Sequence, residues 1–257
     1  MNFTQHKSIK FIIRHNIYIL LLLIINQFEM KKILFMLLFI ASNHMIAQNI
    51  AFEQVAIKVE AGKGQYVLDL LDSFYGNIDK PEGVNISLDR VYFKSEDIEA
   101  THYLGFSGPL EGLAELRKIR NGDKYLLFNS NILEFGNIVS VVGGNSIMRM
   151  NVSERGEAVA QIWKWRVDDP ASFIDEFTNL IKGFPQEGYL SLGQFSHGIG
   201  SDGENMYVYM THDDYEAALG WGPKTPQQQE AFAKFGKNTS KYSDFHGTVT
   251  MVNLKNW

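Results

Sequence analysis

The chain has 257 residues, of which 45% are hydrophobic and 21% are charged, and its formal net charge is −5. This composition is typical of an ordinary globular protein rather than a disordered one. The sequence contains no cysteine, which excludes disulfide bonds, thiolate metal sites and a cysteine nucleophile.

The first 47 residues have the pattern of an export leader. A positively charged start at 30–32 precedes the apolar run 33–41, and the small residue Ala47 stands where a signal peptidase would cleave. We therefore predict a signal peptide over residues 30–47 and an exported protein, periplasmic or secreted. Only the leader would then contact a membrane.

A second apolar run lies further upstream, at residues 17–25, behind several basic residues. Two interpretations compete. Residues 1–29 are an extension upstream of the real start at Met30, or both apolar runs are used and the N-terminus stays in the membrane. In both cases residues 1–47 are left out of the fold, because they lack the polar alternation and the turn signals of a folded domain.

The chain beyond the leader is acidic. Residues 48–257 contain 19 basic and 28 acidic side chains, without a local cluster of Lys and Arg. Because nucleic-acid binding needs a basic face, this balance argues against nucleic acid as a partner.

The first half of the remaining chain begins with a strand, a glycine break and a helix. Residues 55–60 are rich in β-branched side chains and predict a strand, which Gly62 and Gly64 interrupt. Residues 66–75 place apolar side chains at helical spacing and end before Gly76. The same patterns predict strands over 86–88 and 102–106, a helix entered at Pro109 and a last strand over 138–142.

The second half repeats this order of elements. Residues 159–167 alternate as a strand does, and Asp168-Asp169-Pro170 is a strong helix start, with an Asp cap and Pro in the first turn. Residues 173–182 form the predicted helix. The prediction continues with strands over 190–192 and 207–211, a helix entered through a capping-box pattern at 213–216 and a last strand over 248–254.

The implied order is β-α-β-β-α-β, twice, which is the ferredoxin-like unit of the α+β class. We predict two tandem repeats, over 48–150 and 151–257, with a turn-rich boundary near 143–157. The alignment pairs 86–88 with 190–192, 102–106 with 207–211, and the shared Lys-Tyr-x-x-Phe of 124–128 with that of 241–245. It leaves a polar insertion in the second half, at 222–229.

This order of elements resembles the dimeric α+β barrel superfamily, which includes antibiotic-biosynthesis-monooxygenase-like domains. The resemblance covers nearly all of residues 50–257 and rests on topology. It implies that the two units pack sheet to sheet within one chain, as an internal pseudo-dimer, and enclose a cleft. The superfamily includes haem-dependent enzymes, cofactor-free oxygenases and proteins of no known activity, so the fold leaves the function open.

Four aromatic residues are candidates for a ligand site in that cleft. Trp163 and Trp165 share one face of their strand, and Tyr207 and Tyr209 share one face of theirs. Packing is their default role. Should they line the cleft, they would suit a small, flat, hydrophobic or aromatic ligand.

Three histidines are weak candidates for a general base or a haem ligand. His197 stands in a glycine-rich stretch, where a hairpin connection is the favoured interpretation. His212 precedes two aspartates, which favours helix capping over metal binding. His246 follows the shared Lys-Tyr-x-x-Phe, where the first half has Asn129. No HExxH motif is present, and we predict no metal site.

Three hypotheses for function follow. The first is a binding protein that holds a small hydrophobic or aromatic ligand between the two sheets. The second is a monooxygenase-like or haem-dependent enzyme. The third is a non-catalytic interaction protein that uses the insertion near Gly222 as a contact.

Overall fold

The computed structural model describes residues 50–154, 158–184, 186–200 and 202–257. The predicted leader, residues 1–47, lies outside the described residues, so export stays a prediction. Among the described residues, the helices are all too short or too polar to cross a membrane.

The described chain contains eight strands in the predicted order and six α-helices, two more than predicted. The strands are β1 (Ile50–Val59), β2 (Asn85–Phe93), β3 (His102–Pro109), β4 (Gly136–Met150), β5 (Val159–Val167), β6 (Leu190–His197), β7 (Met206–His212) and β8 (Ser243–Asn256). The helices are α1 (Gly64–Tyr75), α2 (Leu110–Ile119), α3 (Asp123–Ile132), α4 (Pro170–Gly183), α5 (Tyr215–Leu219) and α6 (Pro226–Thr239).

The eight strands form a closed antiparallel barrel in the order β1-β3-β2-β8-β5-β7-β6-β4. Each half contributes four strands, and the halves join where β2 pairs with β8 and β4 pairs with β6. The predicted fold, two tandem ferredoxin-like units that close as an α+β barrel, is therefore confirmed. Hydrogen-bonded strand edges hold the two sheets together, so neither sheet has a long free edge at the junction.

The two halves match residue by residue. An irregularity in pairing falls between Ala56 and Ile57 of β1 and between Lys164 and Trp165 of β5. Counting from these positions, Ile57 corresponds to Trp165 and Val55 to Trp163. The structure therefore supplies the internal symmetry that sparse sequence identity only suggested.

Part of the predicted alignment is confirmed by this symmetry. Leu88 pairs with Leu104 and Leu192 pairs with Val208, so 86–88 corresponds to 190–192 as predicted. The alignment of 102–106 with 207–211 is wrong by one residue, because Leu104 corresponds to Val208 rather than to Tyr209. A slip of one residue exchanges the two faces of a strand.

The shared Lys-Tyr-x-x-Phe is not a structural equivalence. Residues 124–128 lie in α3, whereas Phe245 lies in β8. His246 stands at the β8 irregularity, where the counterpart in β4 is near Val139 rather than the helical Asn129. A five-residue pattern with two open positions carries little information about register, so this match does not place the two segments at equivalent positions.

The polar insertion predicted at 222–229 is also corrected. Thr225 and Gln228 form a capping box, and a helix of 14 residues follows from Pro226. This helix, α6, takes the place in the second half that α3 takes in the first. Its run of glutamines is largely exposed, so the apolar spacing that marks a helix is weak at its start.

Buried side chains form three clusters that follow from this architecture. One lies between the sheet and the helices of the first half, one lies in the same layer of the second half, and one lies inside the barrel. Alternate strand residues therefore face either the helices or the barrel interior.

Candidate functional site

A cavity of about 190 Å³ lies between the first-half sheet and its helices. We call it the first-repeat cavity. β1 contributes Val55 and Ile57 to its wall, and α1 contributes Leu71. The remaining wall is formed mainly by Leu104, Phe128, Ile132, Ile138 and Val141. Its lining is mostly apolar, as ligand pockets are.

A cluster of charges, of which Arg120 is buried and Arg117 is half exposed, forms one side of the first-repeat cavity. Arg120 follows α2 directly, and its side chain is 5% exposed. Its Nη1 donates to Glu53 Oε1 at 2.9 Å, and Arg117 Nη2 lies 3.0 Å from Glu53 Oε2. Two guanidinium groups thus face one carboxylate, which leaves a net positive charge beside an apolar space.

Two residues that line this cavity each have a buried polar atom with no hydrogen-bond partner among the described residues. They are Tyr75 Oη and Arg120 Nε. Tyr75 is 2% exposed, and burial raises the pKa of its hydroxyl, so the group stays protonated and can donate. Leaving a buried donor unpaired costs about 1–3 kcal/mol. Both groups are therefore available to an acceptor that enters the cavity.

A second cavity, of about 120 Å³, lies inside the barrel. We call it the barrel cavity. Three rings pack against one another on its wall: Phe52 lies 5.1 Å from Tyr207 and 5.8 Å from Phe195, centroid to centroid. The cavity extends to the end of the barrel where Ile50 begins β1 and Asn256 ends β8.

Two carboxyl groups lie among the residues that line the barrel cavity: Glu53, which is paired with Arg117 and Arg120, and Asp89, which is buried. Asp89 of β2 is 7% exposed. Asn253 Nδ2 donates to its Oδ1 at 2.9 Å, and Ser87 Oγ donates to its Oδ2 at 3.0 Å. Burial raises the pKa of this carboxyl, and the two hydrogen bonds oppose that shift.

The four predicted aromatic residues lie on two different sides of the sheet. Tyr207 and Tyr209 line the barrel cavity. Trp163 and Trp165 face the helices of the second half, so these two side chains cannot line a cleft between the sheets. The reason is strand parity: Ile162, which precedes Trp163 in β5, takes the inward position.

The two tryptophans belong to an aromatic layer under the second-half helices. The rings of Trp163 and Trp165 stack with centroids 6.3 Å apart, and Trp221 contacts Trp163 at 5.0 Å. Phe173 and Phe245 contact Trp165 at 5.4 and 5.3 Å. This layer fills the space that the first half leaves as a cavity.

The three predicted histidines lie apart from both cavities. His197 is exposed at the end of β6. His212 is buried at the end of β7, where its Nε2 lies 3.2 Å from Gln161 Oε1, and burial lowers its pKa. His246 lies 3.7 Å from Glu204, which also pairs with Lys164. The structure does not bring these histidines together.

Neither cavity fits a haem. No histidine is among the described residues that line them. A cavity of about 150 Å³ holds one benzene molecule, so spaces of 120 and 190 Å³ accommodate about one ring each. The described residues also contain no group of three or more His, Asp or Glu side chains placed to hold a metal ion.

Sequence reasoning did not find the polar residues of either cavity. Asp89 left a usable signal, because it stands in the alternating segment Ile86-Ser87-Leu88-Asp89 at a position that faces the same side as Ser87. Arg120 and Glu53 are separated by 67 residues, and no local pattern joins them. Their pairing becomes visible only in three dimensions.

The fold is similar to that of several solved structures. No protein-family model and no curated protein matches the chain. A proposed monooxygenase from Lactobacillus acidophilus is similar in structure, with 14% identity and a TM-score of 0.53 over 81% of this chain and 95% of that chain. An anthrone oxidase-like protein has 11% identity and a TM-score of 0.56 over 82% and 93%.

A proposed monooxygenase from Fusobacterium nucleatum is similar to the same degree, with 14% identity and a TM-score of 0.55 over 82% and 95% of the two chains. At such low identity the likeness shows the fold alone. The chain has the dimeric α+β barrel fold, and its eight strands form the fused tandem version of it.

Proposed function

We propose that this is a small-molecule-binding protein and that its ligand, an apolar molecule with an anionic head group, lies in the first-repeat cavity. One observation carries the proposal: Arg120 and Tyr75 both line an apolar cavity, and each has a buried donor, Arg120 Nε and Tyr75 Oη, that lacks a partner among the described residues. An incoming oxyanion would accept hydrogen bonds from both.

The charge of the site selects the head group. Glu53 is already paired with Arg117 and Arg120, so the site holds one excess positive charge. A carboxylate would neutralise it, whereas a cation would be repelled. The volume of the cavity limits the size of the ligand. At 190 Å³ it is slightly larger than the space of about 150 Å³ that holds benzene, so it would take one ring with a small substituent.

Phenylacetate is a suitable probe because it combines one ring with one carboxylate. We expect isothermal titration calorimetry to show that phenylacetate binds more tightly than the neutral phenylacetamide and far more tightly than the cationic phenethylamine. A hydrogen bond to a charged group contributes about 1.5–3 kcal/mol, so Tyr75→Phe should lower the affinity for phenylacetate about tenfold or more. Arg120→Gln should abolish detectable binding.

The second half offers a matched control. Tyr242 Oη is also buried without a partner among the described residues, but it lies in the second half. Tyr242→Phe should therefore leave the affinity for phenylacetate unchanged. Equal binding of phenylacetate and phenylacetamide, or equal effects of the two tyrosine variants, would contradict the proposal.

An oxygenase that acts in the same cavity is the second candidate. The proteins of similar fold are two proposed monooxygenases and an anthrone oxidase-like protein. Unpaired donors on the wall of an apolar cavity would also stabilise an oxyanion that develops during a reaction. The volume favours a single-ring phenol over a three-ring substrate. Oxygen uptake with a single-ring dihydroxyphenol, lost in Tyr75→Phe, would support this candidate, and its absence would leave binding alone.

Export is part of the proposal as well. The signal-peptide pattern at 30–47 supports it, since a positive start, a short apolar run and Ala47 follow one another. Mass spectrometry of the protein recovered outside the cytoplasm should show an N-terminus at Gln48. Ala47→Trp should block this cleavage, and an uncleaved cytoplasmic product from the wild-type sequence would contradict export.

A further inference from the structure

The barrel cavity contains a buried carboxyl group, that of Asp89, without a positive partner among the described residues. Asp89 accepts hydrogen bonds only from the neutral groups of Ser87 and Asn253 among the described residues. No Lys, Arg or His is among the described residues that line this cavity. A buried carboxylate of this kind is costly unless it is paired or protonated.

Much of the remaining wall of this cavity is aromatic. Phe52, Phe195, Tyr207 and Tyr209 line the cavity together with Ile162. Aromatic faces attract organic cations through their quadrupoles, and this attraction is strongest where water is excluded. The cavity therefore combines the carboxyl group of Asp89 with several ring faces, while the second carboxylate of its lining, Glu53, is already paired with Arg117 and Arg120. A carboxylate among ring faces is the chemistry that recognises an ammonium group with a short apolar body.

The size of the cavity limits that body. With about 120 Å³, it is smaller than the space of about 150 Å³ that holds benzene. A ligand of about five or six heavy atoms would fit. The cavity reaches the barrel end at Asn85 and Asn256, the first residue of β2 and the last of β8, and this end offers the route of entry.

The buried carboxyl group of the barrel cavity is present in one half only. The β2 positions Ser87 and Asp89 correspond to Ser191 and Gly193 in β6, by the pairing of the two halves. Ser191 bonds Ser146 at 2.8 Å and closes that side of the cavity with neutral groups. A duplicated barrel that carries one charge on one side has a single binding orientation for a charged ligand.

We infer that the barrel cavity is a second ligand site, which takes a small organic ammonium ion with Asp89 as its counter-ion. The first-repeat cavity would take an anion, so the two sites differ in the sign of the ligand that each binds. The inference stands independently of the proposed function, because the deciding groups, Asp89 and Arg120, each line only one of the two cavities.

Isobutylammonium and its neutral isostere isobutanol test this site by calorimetry. The ammonium ion should bind at least tenfold more tightly than the alcohol. Asp89→Asn keeps an acceptor for Asn253. It should lower the affinity for the ammonium ion tenfold or more and leave the affinity for the alcohol unchanged. The control Asp244→Asn removes the same charge from an exposed position of β8 and should change neither affinity.

A second variant tests the cavity by blocking it in a protein that is still folded. Ile162→Phe enlarges a side chain of the cavity wall and should abolish binding of both probes, while circular dichroism and urea denaturation show that the protein is still folded. Three results would each overturn the inference. They are equal affinity for the ammonium ion and the alcohol, undiminished ammonium binding by Asp89→Asn, and no binding of either probe to the folded protein.

Discussion

The two halves of the chain share one topology but differ in how they fill the layer under their helices. At the positions where the second half has Trp163 and Trp165, the first half has Val55 and Ile57. The tryptophans pack into a continuous aromatic layer, and the smaller residues border a cavity of about 190 Å³. Side-chain volume at two equivalent strand positions thus accounts for much of the difference between a filled layer and an open one.

The interior of the barrel shows the same kind of difference. Asp89 of the first half corresponds to Gly193 of the second, where a side chain would collide with the Tyr207 hydroxyl. The first half therefore has the carboxyl group of Asp89 inside the barrel, and in the second half the Tyr207 ring occupies the corresponding space. Duplication supplied the scaffold, and divergence at a few facing positions produced two cavities of different chemistry.

The largest expected effect comes from emptying the filled layer. Trp165 is 8% exposed and contacts Phe173 and Phe245. Trp165→Ala should lower the free energy of unfolding by about 4 kcal/mol, because it removes a large buried ring and leaves a void. Urea denaturation measures this change.

The matched variant in the first half is Ile57→Ala, at the equivalent position beside an existing cavity. It should lower the free energy of unfolding by about 2 kcal/mol, since fewer buried atoms are lost. Equal losses for the two variants would show that the two layers contribute alike and would remove the basis of the comparison.

The next effect tests the charge cluster that borders the cavity of the first half. Glu53→Gln should lower the free energy of unfolding by about 3 kcal/mol, because the buried Arg120 loses its carboxylate. The same variant should bind phenylacetate more tightly, since the site gains net positive charge. Calorimetry and urea denaturation together measure the two opposite changes.

An exposed ion pair provides the control for this variant. Lys58 and Glu99 pair at 2.8 Å on the surface, with side chains 54% and 62% exposed. Glu99→Gln should change neither stability nor affinity measurably. A loss of phenylacetate affinity in Glu53→Gln would mean that Glu53 helps to hold the ligand rather than opposing it.

The interior charge predicts a dependence of stability on pH. Burial raises the pKa of Asp89 in the folded state, so the folded protein holds this proton more tightly than the unfolded chain does. Its contribution to stability is therefore greatest in acid and declines as pH rises above about 4, the pKa of an unfolded Asp, through the folded pKa. A tenfold difference in proton affinity between the two states is worth about 1.4 kcal/mol.

Asp89→Asn removes this titration, whereas all other titrating groups are common to both proteins. The variant should accordingly gain stability relative to the wild type as the pH rises from about 4 to about 7, as measured by urea denaturation at each pH. A stability difference that is independent of pH would show that the carboxyl titrates equally in the folded and unfolded states.

The smallest effect concerns the unpaired hydroxyl of Tyr75. Without ligand, Tyr75→Phe should raise the free energy of unfolding by about 1 kcal/mol, because a buried polar group without a partner among the described residues is removed. Thermal denaturation in ligand-free buffer measures the gain. Destabilisation instead would reveal a hydrogen-bond partner and would weaken the case for a ligand there.

Much of the fold could be predicted from local patterns. The Asp169 cap and Pro170 start α4 as predicted, with Asp169 accepting from the Ser172 backbone. The equivalence of 86–88 with 190–192 was also confirmed. Patterns without a packing constraint failed: the shared Lys-Tyr-x-x-Phe falls on a helix in one half and enters a strand in the other.

The candidate sites were less accessible to prediction. Alternation placed Tyr207 and Tyr209 on one face, but the sequence alone did not decide that this face points into the barrel while Trp163 and Trp165 point towards helices. Parity determines which residues share a face, and only the neighbouring elements determine what that face meets.

The sequence by itself determined the order of the eight strands and of four of the six described helices, the pattern of a repeat and the acidic, cysteine-free character of the chain, because these depend on local periodicity, capping and composition. Only the tertiary structure decided that Glu53 meets Arg120 and that Asp89 meets Asn253, since these partners are separated by 67 and 164 residues. Contacts over such distances follow from strand register and barrel closure, which no short segment encodes.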